Sequence, residues 1–224
     1  MRDIFREGKK VFLLSGILFL GFGVLWYFQR VSQWGIVFLI LSLLMIFLFG
    51  YTIFFLRVPR RKTKIDPDLI YASADGFVML IDEDCEAPAF LEGRVQKVLI
   101  FMHVASMHWN LSPIEGTVEY EKYQKGSLKN VMKESSWQTN EHQLIGIENK
   151  EKNIKILVSM IAGLIARRIR FFKKTGDALK QGETMGLIKY GSANMIFIPK
   201  DFEIVVKKGQ KSRAGLTVVA RRKK

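Results

Sequence analysis

Two long uncharged apolar runs near the N-terminus constrain this chain more than any other feature. Residues Val11 to Phe28 and Trp34 to Leu56 contain no Asp, Glu, Lys or Arg, and only the short turn 29–33 separates them. A helix needs roughly 20 apolar residues to cross the hydrocarbon core of a bilayer, and both runs approach or exceed that length. The sequence therefore predicts a two-helix transmembrane hairpin over residues 11–56.

The charged residues around these runs predict which way the hairpin faces. Residues 1–64 hold ten Lys or Arg and two Asp or Glu, and the turn between the runs holds only Arg30. Because basic residues flank the cytoplasmic ends of membrane spans, we expect a basic cytoplasmic N-terminus at residues 1–10 and a basic linker at residues 57–69. The remaining residues, 70–224, then form a domain on the cytoplasmic face of the inner membrane. A cleaved signal peptide is the alternative for the first run, but the run lacks a small-residue cleavage site and a second span follows it.

The strong basicity of the chain limits its partners. A formal net charge of +14 suits either nucleic acid or an anionic membrane surface. The apolar hairpin favours the membrane, and the basic linker should attract anionic headgroups. No nucleic-acid recognition motif accompanies the basic tail at residues 221–224, so we expect no nucleic-acid partner.

Beyond residue 70 the apolar residues alternate with polar ones, which predicts a mainly β domain of the α+β class. Residues 121–142 are polar and irregular, as is typical of a long surface loop. Residues 163–169 fit either a strand or a short helix. The predicted strands are residues 76–81, 95–102, 116–120, 143–147 and 154–161.

An internal repeat occurs late in the chain. Residues 176–184 and 209–217 share the pattern glycine, five residues, glycine, one residue, threonine. Paired turns of this kind resemble those of lipoyl and biotinyl carrier domains, although the lysine-bearing turn of those carriers is missing. The repeat predicts a lipoyl/biotinyl-like barrel-sandwich element, with coincidence between two hairpins as the alternative.

Cysteine and histidine residues are few. The single cysteine, Cys85, cannot form an intrachain disulfide, and its acidic neighbours disfavour the thiolate, so we expect an incidental cysteine in a loop. No carboxylate or cysteine cluster accompanies His103 and His108, and no metal site is predicted. His142 lies in the polar loop and is expected to be solvated.

The dipeptide Gly191-Ser192 lies between two apolar, strand-like runs about thirty residues from the C-terminus. Glycine reaches backbone angles closed to other residues and so permits a sharp, strained peptide. A serine hydroxyl beside such a peptide can attack the preceding carbonyl. By itself, however, the dipeptide is far more typical of an ordinary turn.

Several segments in order resemble one family. Residues 72–78 read Ala-Ser-Ala-Asp-Gly-Phe-Val, which is similar to the Ser-Pro-Ala-Asp-Gly-x-Val segment of phosphatidylserine decarboxylases. Residues 101–118 resemble the family's Phe-Met-Ser, Val-His-x-Asn and Pro-x-x-Gly-Thr-Val block, and residues 161–192 resemble its C-terminal block. The exit of the hairpin, residues 54–60, is similar to that of the short, membrane-anchored prokaryotic members.

This resemblance implies a function. Such an enzyme is a carboxy-lyase of phospholipid biosynthesis that converts phosphatidylserine to phosphatidylethanolamine and carbon dioxide. It is made as a zymogen and cuts itself at Gly191-Ser192, into a β chain, residues 1–191, and an α chain, residues 192–224. The resemblance implies that Asp75, His108 and Ser192 form a triad for this cut, in which His108, oriented by Asp75, takes the serine proton.

The resemblance also implies a cofactor and partners. Ser192 becomes a pyruvoyl group that forms a Schiff base with the substrate amine, and no metal is required. The partners are the phospholipid substrate, the anionic membrane surface and the two chains of one precursor, and a homodimer stays open. Substrate-binding residues are unassigned.

Two alternatives stay open: a decarboxylase of a related serine phospholipid of the archaetidylserine type, whose headgroup chemistry is the same, and a non-catalytic, membrane-anchored binding module. The sequence also departs from the family pattern at several positions. The departures are Ala74, His103, Ser106, Leu111 and Ala193.

Overall fold

The computed structural model describes residues 2–58, 61–164, 168–189 and 191–223. The chain divides into two compact units, Met1–Val58 and Pro59–Lys224.

The first unit is a pair of helices, α1 (Arg2–Gln29) and α2 (Trp34–Phe55). The stretches Glu7–Gln29 and Trp34–Phe55 each contain an 18-residue window of high mean hydropathy, 2.2 and 2.7, of which 11% is buried. A helix that is apolar all round and exposed all round is stable only in an apolar solvent, as a membrane span is. The predicted pair of apolar helices is confirmed, and α1 begins at Arg2, so it takes in most of the residues expected to form a separate N-terminus.

The two helices pack against each other as a tight hairpin. The rings of Phe12 and Phe49 lie 5.1 Å apart between centroids, and the Ser42 hydroxyl donates a hydrogen bond to the Phe19 carbonyl at 3.3 Å. At the turn, a Cβ on Gly35 would lie 2.7 Å from the carbonyl oxygen of residue 29. Only glycine permits so close a return of the chain.

The second unit is mainly β, as the alternating pattern predicted. It also contains one short helix, α3 (Ser136–Thr139). In chain order its strands are β1 (Leu69–Tyr71), β2 (Gly76–Glu86), β3 (Arg94–Met102), β4 (Trp109–Leu111), β5 (Gly116–Gln124), β6 (His142–Asn149), β7 (Ile154–Ala162), β8 (Arg168–Phe171), β9 (Ala178–Leu179), β10 (Thr184–Lys189), β11 (Ser192–Ile198), β12 (Phe202–Ile204), β13 (Lys211–Ser212) and β14 (Val218–Arg222).

Most of these strands form one sheet with β11 near its middle. The eight strands follow the order β13-β2-β3-β11-β7-β6-β5-β9, and two three-stranded sheets have the orders β1-β14-β12 and β4-β10-β8. Strand β11 is antiparallel to both β3 and β7, so that Ile196 faces Val98 on one side and Val158 on the other. All three side chains are fully buried in the main hydrophobic core, which fixes the register of the central strands.

The predicted strands are all present, and the differences lie at their ends. Strand β2 continues to Glu86, so Cys85 lies in a strand and not in the expected loop. Cross-strand ion pairs accompany the extension: Asp82 pairs with Lys97, and Asp84 pairs with Arg94, both on β3.

Two further segments differ from expectation or stay partly undescribed. The predicted loop 121–142 begins with the end of β5 and contains α3. In the ambiguous segment 163–169, residue 168 begins β8, while residues 165–167 lie outside the described residues.

The sequence repeat corresponds to a structural repeat. The Gly176 amide donates to the Val118 carbonyl at 2.7 Å, and the Gly209 amide donates to the Val78 carbonyl at 2.7 Å. The two turns therefore dock on β5 and β2 in the same way, whereas the lipoyl-like barrel-sandwich assignment stays a prediction. The glycines that bound the turns all have positive φ, with values of 94°, 79°, 84° and 68° at Gly176, Gly182, Gly209 and Gly215.

We expect the replacement Ile196→Ala to lower the free energy of unfolding by about 2–5 kcal/mol, because it leaves a cavity between two fully packed strands. Chemical denaturation of the detergent-solubilised chain, followed by near-UV circular dichroism, measures this change. The matched control is Ile65→Ala, since Ile65 is 56% exposed. Equal losses in the two variants would contradict the assigned core.

Candidate active site

Ser192 is the first residue of the central strand β11. It faces Met102 at the end of β3 and Ala162 at the end of β7. Its side chain is fully buried, and its hydroxyl donates a hydrogen bond to the Met102 sulfur at 3.2 Å. A thioether is a weak acceptor, so this contact does little to hold the hydroxyl against a stronger base.

The residue before Ser192 has the backbone conformation that the sequence analysis anticipated. Gly191 has a φ of +55°, in the left-handed region that residues with a Cβ rarely adopt. The chain turns at this residue from β10 into β11. The Gly191-Ser192 peptide therefore lies at the point where a turn meets a buried strand.

His108 is fully buried next to β4. Its Nδ1 lies 2.8 Å from the carbonyl oxygen of Ser106. A carbonyl only accepts hydrogen bonds, so the neutral ring carries its proton on Nδ1 and a lone pair on Nε2. Sequence analysis noted Ser106 only as a departure from the family pattern; its backbone carbonyl selects the tautomer in which Nε2 can accept a proton.

Asp75 lies in a tightly bonded position before β2. The guanidinium of Arg61 donates to its two carboxylate oxygens at 2.5 and 2.7 Å, and the Ala214 amide donates to it at 2.8 Å. A bidentate, charge-assisted pair of this kind is stronger than neutral hydrogen bonds and holds both side chains in one orientation. Sequence analysis assigned Arg61 to a basic linker that contacts headgroups, and it missed this pairing.

A chain of buried side-chain hydrogen bonds joins three segments of the domain. The Ser73 hydroxyl donates to the side-chain oxygen of Asn194, whose Nδ2 donates to Oδ1 of Asn110 at 2.8 Å. Asn110 in turn donates to the carbonyl oxygen of His108 at 3.0 Å. Ser73, Asn110 and Asn194 are fully buried, and the amide orientations are those that complete this chain.

This buried chain places the three predicted catalytic residues in neighbouring segments. Asp75 follows Ser73 by two residues, while His108 and Ser192 precede the two asparagines by two residues. The carbonyl of His108 also accepts a hydrogen bond from the Ile188 amide at 3.2 Å. The segment of His108 is thus bonded to β10, the strand that leads into Gly191-Ser192. The triad itself stays a prediction.

A cavity of about 690 Å³ lies on the other face of the sheet. Its walls include Met195 and Phe197 of β11 and Ile161 of β7. Successive side chains of a strand point to opposite faces, so this cavity opens on the face opposite to the Ser192 side chain. It does not surround the Ser192 hydroxyl.

Two other candidate residues, His142 and Cys85, lie in strands of the large sheet. His142 begins β6 and is only 7% exposed, which corrects the expectation that it is solvated; its Nδ1 lies 2.7 Å from the Asn140 carbonyl oxygen. Burial raises the pKa of the Cys85 thiol, an effect that Lys97 opposes and Asp82 reinforces. Within the described ranges, no three His, Cys, Asp or Glu side chains cluster as metal ligands.

A family model and several curated relatives of this chain carry the same enzyme name. The family described as phosphatidylserine decarboxylase matches residues 48–220. The phosphatidylserine decarboxylase proenzyme of Carboxydothermus hydrogenoformans is 41% identical over 81% of this chain and 84% of its own length. The proenzymes of the same name from Symbiobacterium thermophilum and Magnetococcus marinus are 36% and 35% identical, over 76% and 87% of this chain and 79% and 87% of theirs.

We expect Asn194→Leu to destabilise the domain, because it leaves the Ser73 hydroxyl and the Asn110 side-chain oxygen buried without their hydrogen-bond partner. Each unsatisfied group should lower the free energy of unfolding by about 1–3 kcal/mol. Chemical denaturation measures the loss. The control is Asn149→Leu, which removes two exposed hydrogen bonds, one to the Glu115 carbonyl and one from the Lys152 amide. It should cost less, because water replaces both lost partners. Unchanged stability of Asn194→Leu would show that the buried chain does not hold the site.

Proposed function

The chain belongs to the phosphatidylserine decarboxylase family, and we propose that it converts phosphatidylserine to phosphatidylethanolamine with a pyruvoyl group that it makes by cutting itself at Gly191-Ser192. The observation that carries this proposal is the position of Ser192. It begins a buried central strand directly after a glycine of positive φ, in a chain whose relatives are named as proenzymes. Those names favour this function over an ether-lipid decarboxylase and over a binding module.

The proposed self-cleavage begins with proton transfer. Nε2 of His108 takes the proton of the Ser192 hydroxyl, because the Ser106 carbonyl holds Nδ1 in its protonated form. The serine oxygen bonds to the carbonyl carbon of Gly191, and the C–N bond of the peptide breaks as the nitrogen receives a proton. The peptide becomes an ester. Loss of the Ser192 α-proton then expels the Gly191 carboxylate, and water releases ammonia to leave the new carbonyl.

Asp75 is the third member of the proposed triad. Its carboxylate supplies negative charge in the segment that the Ser73–Asn194 hydrogen bond joins to β11, and such a charge stabilises a neighbouring imidazolium. The bidentate contact with Arg61 offsets part of that charge. We therefore assign the orientation of the His108 ring to the Ser106 carbonyl and electrostatic stabilisation to Asp75.

The surroundings of Ser192 fit a pyruvoyl group. That group supplies a carbonyl that acts as an electron sink for decarboxylation. Ser192 is fully buried between two strands, beside Met102 and Ala162, and apolar neighbours exclude water from such a carbonyl. We assign His108, whose carbonyl is bonded to Ile188 of β10, to return a proton to the product.

The two chains of the cut precursor stay assembled in this proposal. Strand β11 belongs to the α chain, residues 192–224, and it is hydrogen-bonded on both sides to strands of the β chain, residues 1–191. Cleavage and loss of the Ser192 nitrogen leave both ladders in place from Ala193 onward. The two glycine-bounded turns likewise come one from each chain.

We also propose where the protein acts. The apolar hairpin anchors it in the cytoplasmic membrane, and the basic residues at both ends of the hairpin place the catalytic domain on the cytoplasmic side. The basic linker, residues 57–69, contacts anionic headgroups. This location brings the domain to the bilayer that contains its phospholipid substrate.

Ser192→Ala should abolish both self-cleavage and the formation of phosphatidylethanolamine, because it removes the attacking oxygen and the source of the carbonyl. Intact mass should show a 33-residue fragment that begins with a pyruvoyl group in the unaltered chain only. The control is Ser159→Ala, in β7, which should cut normally. An uncut, active protein would refute the proposal; assays with diacyl and ether-linked serine lipids define the substrate.

His108→Gln should slow self-cleavage by about 10²–10⁴-fold, the usual contribution of a general base. Asp75→Asn should slow it less, because the Ser106 carbonyl still orients the ring. The appearance of the short fragment over time, on denaturing gels, gives both rates. The matched control is His103→Gln, since the His103 side chain is exposed. Unaltered rates in both variants would remove the triad assignment.

A further inference from the structure

The carbonyl that is attacked in self-cleavage has a backbone hydrogen-bond donor. The Gly163 amide donates to the carbonyl oxygen of Gly191 at 3.0 Å. Ser192 faces Ala162 in the pairing of β11 with β7, so this bond is the next step of the same ladder, beyond the end of both strands. Its acceptor is the carbonyl of the peptide that the proposed reaction would cut.

Gly163 can approach this carbonyl because it has no side chain. A Cβ at residue 163 would lie 2.3 Å from the Gly191 oxygen and 3.1 Å from its carbon. Real Cβ atoms do not approach an oxygen so closely, so any other residue would push the carbonyl and the amide apart. The close approach therefore requires glycine at this position.

The donor is held in place by a buried amide. Asn140, which is fully buried, donates through Nδ2 to the Ala162 carbonyl oxygen at 2.8 Å. The Ala162 amide donates to the Glu141 carbonyl at 2.9 Å. The peptide that carries the Gly163 amide is thus bonded on its other side, and its direction is set before the reaction begins.

We propose that the Gly163 amide is the oxyanion donor for self-cleavage, an inference that rests on the proposed function. As the Ser192 oxygen bonds to the Gly191 carbon, the π electrons of the carbonyl move to its oxygen, which becomes negative. A donor already at 3.0 Å binds that charge more strongly than it binds the neutral carbonyl. When the C–N bond breaks, the electrons return to the carbonyl of the ester.

The first test is Gly163→Ala in the full chain, made by cell-free synthesis into nanodiscs, with the first-order rate of the 33-residue fragment measured by intact mass. We expect a loss of about 10²–10³-fold, the usual effect of removing one oxyanion donor. The matched control is Gly116→Ala, where a Cβ would lie 2.5 Å from the Glu148 carbonyl oxygen. It introduces the same clash away from the reacting peptide and should cut at the unaltered rate.

A second replacement separates the lost donor from the added methyl group. Glycolic acid at position 163 replaces only the N–H by oxygen, so it adds no atom that could clash with Gly191. We expect the same loss of rate, with the pH midpoint of cleavage unchanged because the base is still His108. Glycolic acid at position 116 is its control.

The outcomes distinguish this inference from the proposed function. If the unaltered chain does not cut at Gly191-Ser192, the proposed function fails. If the unaltered chain cuts and the glycolate-163 protein cuts at the same rate, the proposed function stands and the oxyanion assignment is overturned. Thermal unfolding of each protein shows whether a slow variant has kept its fold; a folded, slow glycolate-163 protein supports the assignment.

Discussion

The hydrogen bonding of β11 on both sides is the constraint on which the rest of the domain depends. The strand pairs with β3 from Ser192 to Ile198 and with β7 from Ser192 to Phe197. An edge strand can shift along one neighbour, but a strand between two neighbours loses both ladders if it moves. The first residue of such a strand is a rigid place for a reacting group, and a cut on its N-terminal side leaves the strand in the sheet.

Buried polar groups define this arrangement more sharply than the apolar core does. A shift of β11 by one residue would turn Asn194 to the opposite face of the sheet and leave Ser73 and Asn110 without their partner. An unsatisfied polar group in the core is costly, whereas a fully bonded chain of such groups specifies one register. The same chain brings together the segments that precede and follow the reacting peptide, so specification of the fold and positioning of the site have one cause.

The linker after the hairpin contributes a residue that contacts the proposed triad. Arg61 donates to both oxygens of Asp75 and to the carbonyl of Ala214. It thus connects the start of the second unit to the glycine-bounded turn 209–217. A basic residue next to a membrane span is usually explained by headgroups alone. Here the residue pairs with a carboxylate of the proposed triad and offsets part of its charge.

The two apolar helices, five strands of the large sheet and the Gly191-Ser192 turn could be predicted from the sequence, because hydropathy, period and glycine conformation are local properties. Its ordered motifs also identified the family. The tertiary structure decided what surrounds each side chain: strand pairing placed Cys85 in the sheet, and burial enclosed His142. The bonds between Ser73, Asn110 and Asn194 join residues 121 and 84 positions apart, and the approach of Gly163 to Gly191 depends on which strands are neighbours. Strand order is a property of the whole chain, and no local pattern contains it.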